Sequence, residues 1–95
     1  MSASEDRADY REARRRRNEA TARAAAPPLD AQGLVELSCE CAGPDCERSV
    51  KLPLDVYRRM VEDGNQYLVQ TGHHAFDRYR TIVRHGLTTI EERRA

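Results

Sequence analysis

Three cysteines lie within eight consecutive positions, at Cys39, Cys41 and Cys46, and they are the only cysteines in the sequence. Thiolate sulfur is the ligand that tetrahedral zinc favours most in structural sites. Side chains two positions apart in an extended strand point to the same face, so Cys39 and Cys41 can reach one ion. The turn-forming Gly-Pro-Asp at 43–45 then allows the chain to fold back and bring Cys46 to that ion. The spacing C-x-C-x4-C therefore predicts three ligands for Zn2+.

Three other interpretations of these cysteines are weaker. A disulfide would leave one thiol unpaired, adjacent-but-one cysteines pair badly, and we find no signal peptide that would lead to an oxidising compartment. Buried inert thiols are disfavoured because Glu40 and Glu47 are immediate neighbours of the cysteines. An iron–sulfur cluster would want a fourth cysteine.

A fourth zinc ligand should be one of the three histidines, His73, His74 or His85. The pair at 73–74 follows a glycine and the apolar run 67–69, which places it at the end of a predicted strand, where a ligand is well positioned. His85 precedes Gly86 and has the character of a solvated surface residue. The residues alone do not separate His73 from His74.

The arrangement of motifs resembles a family of short actinobacterial zinc-binding proteins of unassigned function. The similar features are Arg-Arg-Asn-Glu at 16–19, Cys39-Glu40-Cys41, Cys46, Leu-Pro-Leu-x-x-Tyr at 52–57 and Gly72-His73. In that family the first reads R-x-N-E on a leading helix, and the last reads P-G-H-E. A pair of strands rich in valine follows.

The resemblance extends over 14–90 and implies a Cys3His site in which His73 is the ligand. His74 stands where the family tends to have glutamate. The sequence departs from the pattern at Thr71, where proline is usual, at Val56, where glutamate is usual, and in its far more arginine-rich first helix. The resemblance implies no activity.

Size and composition favour a metal independently of the spacing. The 95 residues make one small domain with five aromatic residues and no tryptophan. A core this small usually needs a staple such as a metal ion. No run approaches the roughly 20 apolar residues of a membrane span, so we expect a cytoplasmic protein without membrane contact.

The sequence predicts an α+β fold in three parts. A charged N-terminal helix occupies 1–26, because Ala, Arg and Glu dominate there without Gly or Pro from Glu5 onward. A linker over 27–33 begins with two prolines, which end the helix, and 34–95 form a small zinc-stapled antiparallel β domain. Within that domain we expect strands over 34–39, 49–52, 66–70, 81–84 (from the resemblance) and 87–90, one short helix from Pro53 to Gly64, and a charged tail over 91–95.

The first helix carries four consecutive arginines, Arg14, Arg15, Arg16 and Arg17. An arginine-rich helix can bind RNA phosphates, often folding as it binds. The interspersed acids weaken this field, since the net charge of the chain is zero. The apolar residues of the helix are sparse, which suits a solvated arm, a weakly docked helix or one that gains a partner: Tyr10, Ala13, Ala20 and Ala24.

These features favour a non-enzymatic, zinc-stabilised binding or regulatory module whose partner is a protein or RNA of the transcription or translation machinery. A zinc site closed by four protein ligands has no water to activate. Two alternatives stay open, namely RNA binding through 14–17 and a thiol-based redox or zinc sensor in which oxidation ejects the metal. The sequence does not indicate an oligomeric state.

Overall fold

The computed structural model describes residues 3–24 and 33–94. The elements are α1 (Ala3–Ala24), β1 (Leu34–Ser38), β2 (Ser49–Pro53), α2 (Leu54–Asp63), β3 (Gln66–Gln70), β4 (Tyr79–His85) and β5 (Thr88–Arg93). The predicted α+β class is confirmed: two helices accompany two antiparallel sheets, one with strands β1-β2 and one in the order β3-β5-β4. Neither helix in the described part of the chain is long and apolar enough to cross a membrane.

The first sheet is the predicted hairpin that carries the cysteines in its connection. Strands β1 and β2 pair in register from Leu34 opposite Pro53 to Ser38 opposite Ser49. Side chains alternate along both strands, so one face is apolar and buried. That face consists of Val35, Leu37, Val50 and Leu52.

Helix α2 covers this hairpin and the second sheet. Pro53 precedes its first turn, and Gly64 ends it with a positive φ of 81°, which favours glycine. Tyr57 and Met60 point from α2 into the main core, where they meet Leu68 of β3. The local signals at both ends therefore located this helix correctly.

Helix α1 docks through a polar face, which the sequence analysis did not predict. Its buried residues are Arg15, Asn18 and Ala22, spaced at three and four positions on one side of the helix. Ala22 joins the main core, so α1 and the β domain share one core. The sparse apolar residues of the helix, which suited shallow contact or none, are exposed: Tyr10, Ala13, Ala20 and Ala24.

The division into 1–26, 27–33 and 34–95 stays a prediction, because 25–32, which include Pro27 and Pro28, lie outside the described residues.

The predicted tail is wrong in its first part. Strand β5 continues through Arg93, and Glu91 is 1% exposed. The charged residues at 91–93 do not have the apolar pattern of a strand. Glu91 can nevertheless be buried, because its carboxylate is paired with groups at 74–76.

Candidate metal centre

The four residues expected to bind zinc come together in space. The Sγ atoms of Cys39, Cys41 and Cys46 and the ring nitrogen of His73 all lie within 4.8 Å of one another. The Nδ1 atom of His73 is 3.7 Å from Cys39 Sγ and 3.5 Å from Cys46 Sγ. Typical Zn–S and Zn–N bonds at a tetrahedral angle separate sulfur from nitrogen by about 3.6 Å. The donor set and these distances fit a tetrahedral metal ion.

Cys39 and Cys41 share a face because the chain stays extended beyond β1. The N–H of Cys39 donates to Arg48 O at 2.9 Å, and that of Glu40 donates to Leu68 O at 2.6 Å. These bonds hold 39–41 between the hairpin and β3. The N–H of Gln70 also donates to Cys39 Sγ at 3.2 Å, so the backbone of β3 supports the first ligand.

Cys46 is brought back by the predicted turn. The N–H of Cys46 lies 3.5 Å from Gly43 O, which closes a turn over 43–46. The guanidinium of Arg14 then donates to four carbonyl groups of this loop, at 2.5 to 3.4 Å. One arginine from α1 thus fixes the loop that carries two of the cysteines; its acceptors belong to Cys41, Gly43, Pro44 and Cys46.

His73 reaches the cluster because β3 ends in a tight turn. The N–H of His73 donates to Gln70 O at 2.8 Å, and Gly72 adopts a φ of 97°, which is open to glycine but strained for other residues. His74 points elsewhere, and its Nδ1 lies 2.8 Å from the carboxylate of Glu91. The structure therefore separates the two histidines and places His73 beside the three cysteines. The His85 side chain lies outside the described part of the structure.

Glu91 braces the segment that follows His73. Its carboxylate accepts hydrogen bonds from the N–H groups of Ala75 at 2.8 Å and Phe76 at 3.2 Å, besides contacting His74. A buried carboxylate thus orders the chain directly after a ligand. This role of Glu91 was not predicted, because the residue lies in the charged run that was assigned to the tail.

Glu40 provides a second buried carboxylate, on the side of the extended segment 39–41 that faces away from the cysteine sulfurs. Because side chains alternate, a residue between two ligands must point away from the metal, here into the core. Glu40 is 0% exposed. Its carboxylate contacts four groups: Arg15 Nη2 at 3.2 Å, Asn18 Nδ2 at 2.9 Å, the Tyr57 hydroxyl at 2.6 Å and the Leu68 N–H at 2.8 Å.

Asn18 of the first helix and Tyr57 of α2 both contact the carboxylate of Glu40. All three residues belong to the motifs quoted above for the family resemblance. The expectation that a glutamate beside the cysteines is unsuited to a core is therefore wrong for Glu40. Burial raises the pKa of Glu40, whereas Arg15 and the hydrogen-bond donors favour its charged form. Burial and the same carboxylate raise the pKa of Tyr57, so its hydroxyl is a donor.

The thiols of Cys39 and Cys41 also influence each other. A hydrogen bond between them raises the pKa of Cys39 and lowers that of Cys41, because one sulfur holds the proton while its charged neighbour accepts it. The first proton of the pair is therefore released readily. Metals bind the thiolate form, so this arrangement suits a metal ligand.

The four arginines of α1 have different surroundings. Arg14 binds the loop over 41–46, called the metal loop below. Arg15 is 5% exposed, contacts Glu40 and donates to Gln66 O. Arg16 and Arg17 are exposed. Two of the arginines proposed for RNA are thus engaged within the fold, and RNA binding through 14–17 stays a prediction.

Comparison of the chain with models of known protein families, with curated proteins and with solved structures found no match.

Proposed function

We propose that Cys39, Cys41, Cys46 and His73 bind one Zn2+ in a closed structural site, and that the protein is a non-catalytic module that binds a macromolecular partner. The observation that carries this proposal is the meeting of three sulfurs and one imidazole nitrogen within 4.8 Å. Four protein ligands complete the tetrahedral coordination of zinc, as in structural sites.

The ion would tie together two segments that are far apart in the sequence. Three ligands belong to the connection between β1 and β2, and His73 follows β3. Because the unfolded chain does not preform such a site, the free energy of zinc binding adds to the stability of the fold. A domain of this size benefits strongly from that contribution.

The charge around the cluster supports the same conclusion. Zinc with three thiolates and a neutral imidazole carries one net negative charge. The Arg14 guanidinium lies 3.9 Å from Cys41 Sγ and is fixed by the loop carbonyls. A cation held this close stabilises the thiolates and orients the loop that carries them.

The groups beside the ligands support a structural rather than a catalytic site. Glu40 and His74 are two of the acid–base candidates that are adjacent to a ligand in the sequence. Glu40 is fully buried and has four partners on the far side of the strand. His74 is bound to Glu91 and stacks on Tyr79. Neither group is poised to activate a water molecule at the metal.

A redox or zinc sensor is the second candidate, and it rests on Cys46. This cysteine is half-buried, whereas Cys39 and Cys41 are buried. A thiolate that an oxidant can reach is the first to react, and loss of one ligand would release the metal. The two candidates therefore differ in how easily peroxide releases zinc.

The test is elemental analysis of protein purified under reducing conditions, followed by melting before and after chelation. We expect one zinc per chain and a large fall in melting temperature on stripping. Protein without stoichiometric metal, or identical melting curves, would overturn the structural site. Zinc release at modest peroxide would favour the sensor, and retention would favour the structural module.

The binding role needs a separate test. A pull-down from the native host, with and without RNase treatment, compares wild type with a Cys39→Ser variant. A specific partner retained only by the zinc-loaded fold supports the module. Absence of any partner that distinguishes the two proteins would contradict it.

A further inference from the structure

A hollow of about 380 Å³ lies beside the metal centre, and four arginines are among its lining residues. They come from separate segments: α1, the loop after Phe76, and the end of β5. Four arginines face one aspartate here, although the chain as a whole has no net charge. The residues that matter are Arg11, Phe76, Asp77, Arg78, Arg93 and Arg94.

The arginines of this hollow differ in how they are balanced. Arg11 is paired with Glu12 at 3.0 Å. Among the described residues, no carboxylate lies within 4.0 Å of the guanidinium groups of Arg78, Arg93 or Arg94, which are exposed. Like charges that converge on one hollow favour the binding of an anion there.

The floor of the hollow presents guanidinium groups in a fixed way. The Cζ atoms of Arg11 and Arg93 both lie 4.7 Å from the centre of the Phe76 ring. Arg11 also donates to Ala75 O at 3.0 Å. A guanidinium placed against an aromatic ring keeps N–H groups at its edge, and such edges match the oxygens of a phosphate.

A second hollow continues the first. It shares Asp77, Arg78 and Arg94 with the first and adds Tyr79. Tyr79 is 38% exposed, and its ring stacks on His74 with centroids 4.2 Å apart and planes 20° apart. The two hollows together, called the groove below, present arginines and an exposed aromatic ring, which is more than one phosphate group needs.

We propose that this groove binds single-stranded RNA, with its phosphates at Arg78, Arg93 and Arg94 and a base against Tyr79. Unspecific binding of single strands combines a basic groove with aromatic rings on which bases stack. The inference rests on the proposed function and names the partner class of that module. It differs from binding through 14–17, because it uses another surface.

The experiment uses zinc-loaded, full-length protein and a labelled short single-stranded RNA, and measures affinity over a range of salt concentrations. The test variant is Arg78→Ala/Arg94→Ala, and the control with the same change of charge is Arg16→Ala/Arg17→Ala. Each phosphate contact on a single strand contributes about 0.7 to the slope of log affinity against log salt. We expect the slope of the test variant to become shallower by about 1.4, and that of the control to be unchanged.

A third variant tests stacking separately from charge. Tyr79→Ala should weaken binding about tenfold and leave the salt slope unchanged. Zinc content and melting temperature, measured for each variant, report on the structural site. They show whether a loss of RNA binding reflects the groove or an altered fold.

Several results would overturn the inference. One is that the zinc-loaded wild type does not bind RNA. Another is that the Arg16→Ala/Arg17→Ala control weakens RNA binding as much as the test variant does. A third is that a duplex binds as tightly as the single strand. If inorganic phosphate displaces the RNA completely at a concentration similar to that of the RNA, the groove would instead be assigned to small anions. Protein that holds zinc but fails to bind RNA would refute this inference alone, because the structural site would stand.

Discussion

The side chain of Asn18 pairs with both backbone groups of Ser38. Its Nδ2 donates to Ser38 O at 2.7 Å, and its Oδ1 accepts from Ser38 N–H at 2.8 Å. The amide therefore takes the place of a neighbouring strand at the last residue of β1, directly before Cys39. The same Nδ2 contacts Glu40, so one helix residue supports the start of the ligand segment twice.

Asn18→Ala should destabilise the zinc-loaded protein by about 2–3 kcal/mol, because it removes two hydrogen bonds to the backbone of Ser38 and one of the four contacts of the buried Glu40 carboxylate. The measurement is the free energy of unfolding from urea titration. Glu19→Ala, at the next position on α1, is the control and should change stability by less than about 0.5 kcal/mol. Equal effects of the two substitutions would contradict the role assigned to the amide.

Glu40→Gln should cost about 3 kcal/mol or more, because it leaves Arg15 as an uncompensated charge in the core. Glu36→Gln removes a carboxylate from an exposed position of β1 and provides the matched control. Thermal unfolding of the zinc-loaded proteins compares them. A Glu40→Gln protein as stable as the control would show that the buried pair contributes little.

His73→Ala should lose stoichiometric zinc, whereas His74→Gln should retain it. His73 lies with the three cysteines, and His74 contacts Glu91 on the other side of the turn. We expect His74→Gln to lower stability by only about 1–2 kcal/mol through the weakened Glu91 contact. The measurement is the zinc content of each variant by mass spectrometry, which shows which of the two histidines is the ligand. The reverse pattern would exchange the roles of the two histidines.

Arg14→Gln should release zinc to a competing chelator at least about tenfold faster, because supporting contacts around a metal site typically change affinity by this order. Its guanidinium contacts four carbonyls of the metal loop and lies near Cys41 Sγ. Arg17→Gln removes an exposed charge from the same helix and serves as the comparison. Identical release rates would assign Arg14 to the surface rather than to the metal loop.

Local signals in the sequence located most of the β domain. The strand predicted at 66–70 is β3, the helix between Pro53 and Gly64 is α2, and the turn at 43–45 lies between the expected strands. Each of these depends on residues within a few positions of one another. Hydrophobic alternation and turn-forming residues express such preferences directly.

The polar supports of the site were harder to predict. Arg15 and Asn18 meet Glu40 only after the chain has folded, and no periodicity of apolar residues indicates a buried polar face. One signal was present, because alternation between two ligands forces Glu40 inward. Glu91 lacked even this signal, since its partners follow His73 and lie in a loop.

The contacts of α1 have a consequence for the order in which the molecule assembles. Arg11 donates to a carbonyl 64 residues later in the chain, and Arg14 to carbonyls 27 to 32 residues later. The helix is synthesised before either set of acceptors, and its few apolar residues give it little with which to collapse on its own. Such distant pairings form slowly because a long loop must close first. The nascent chain therefore completes its core late, after the segment containing Ala75 has emerged.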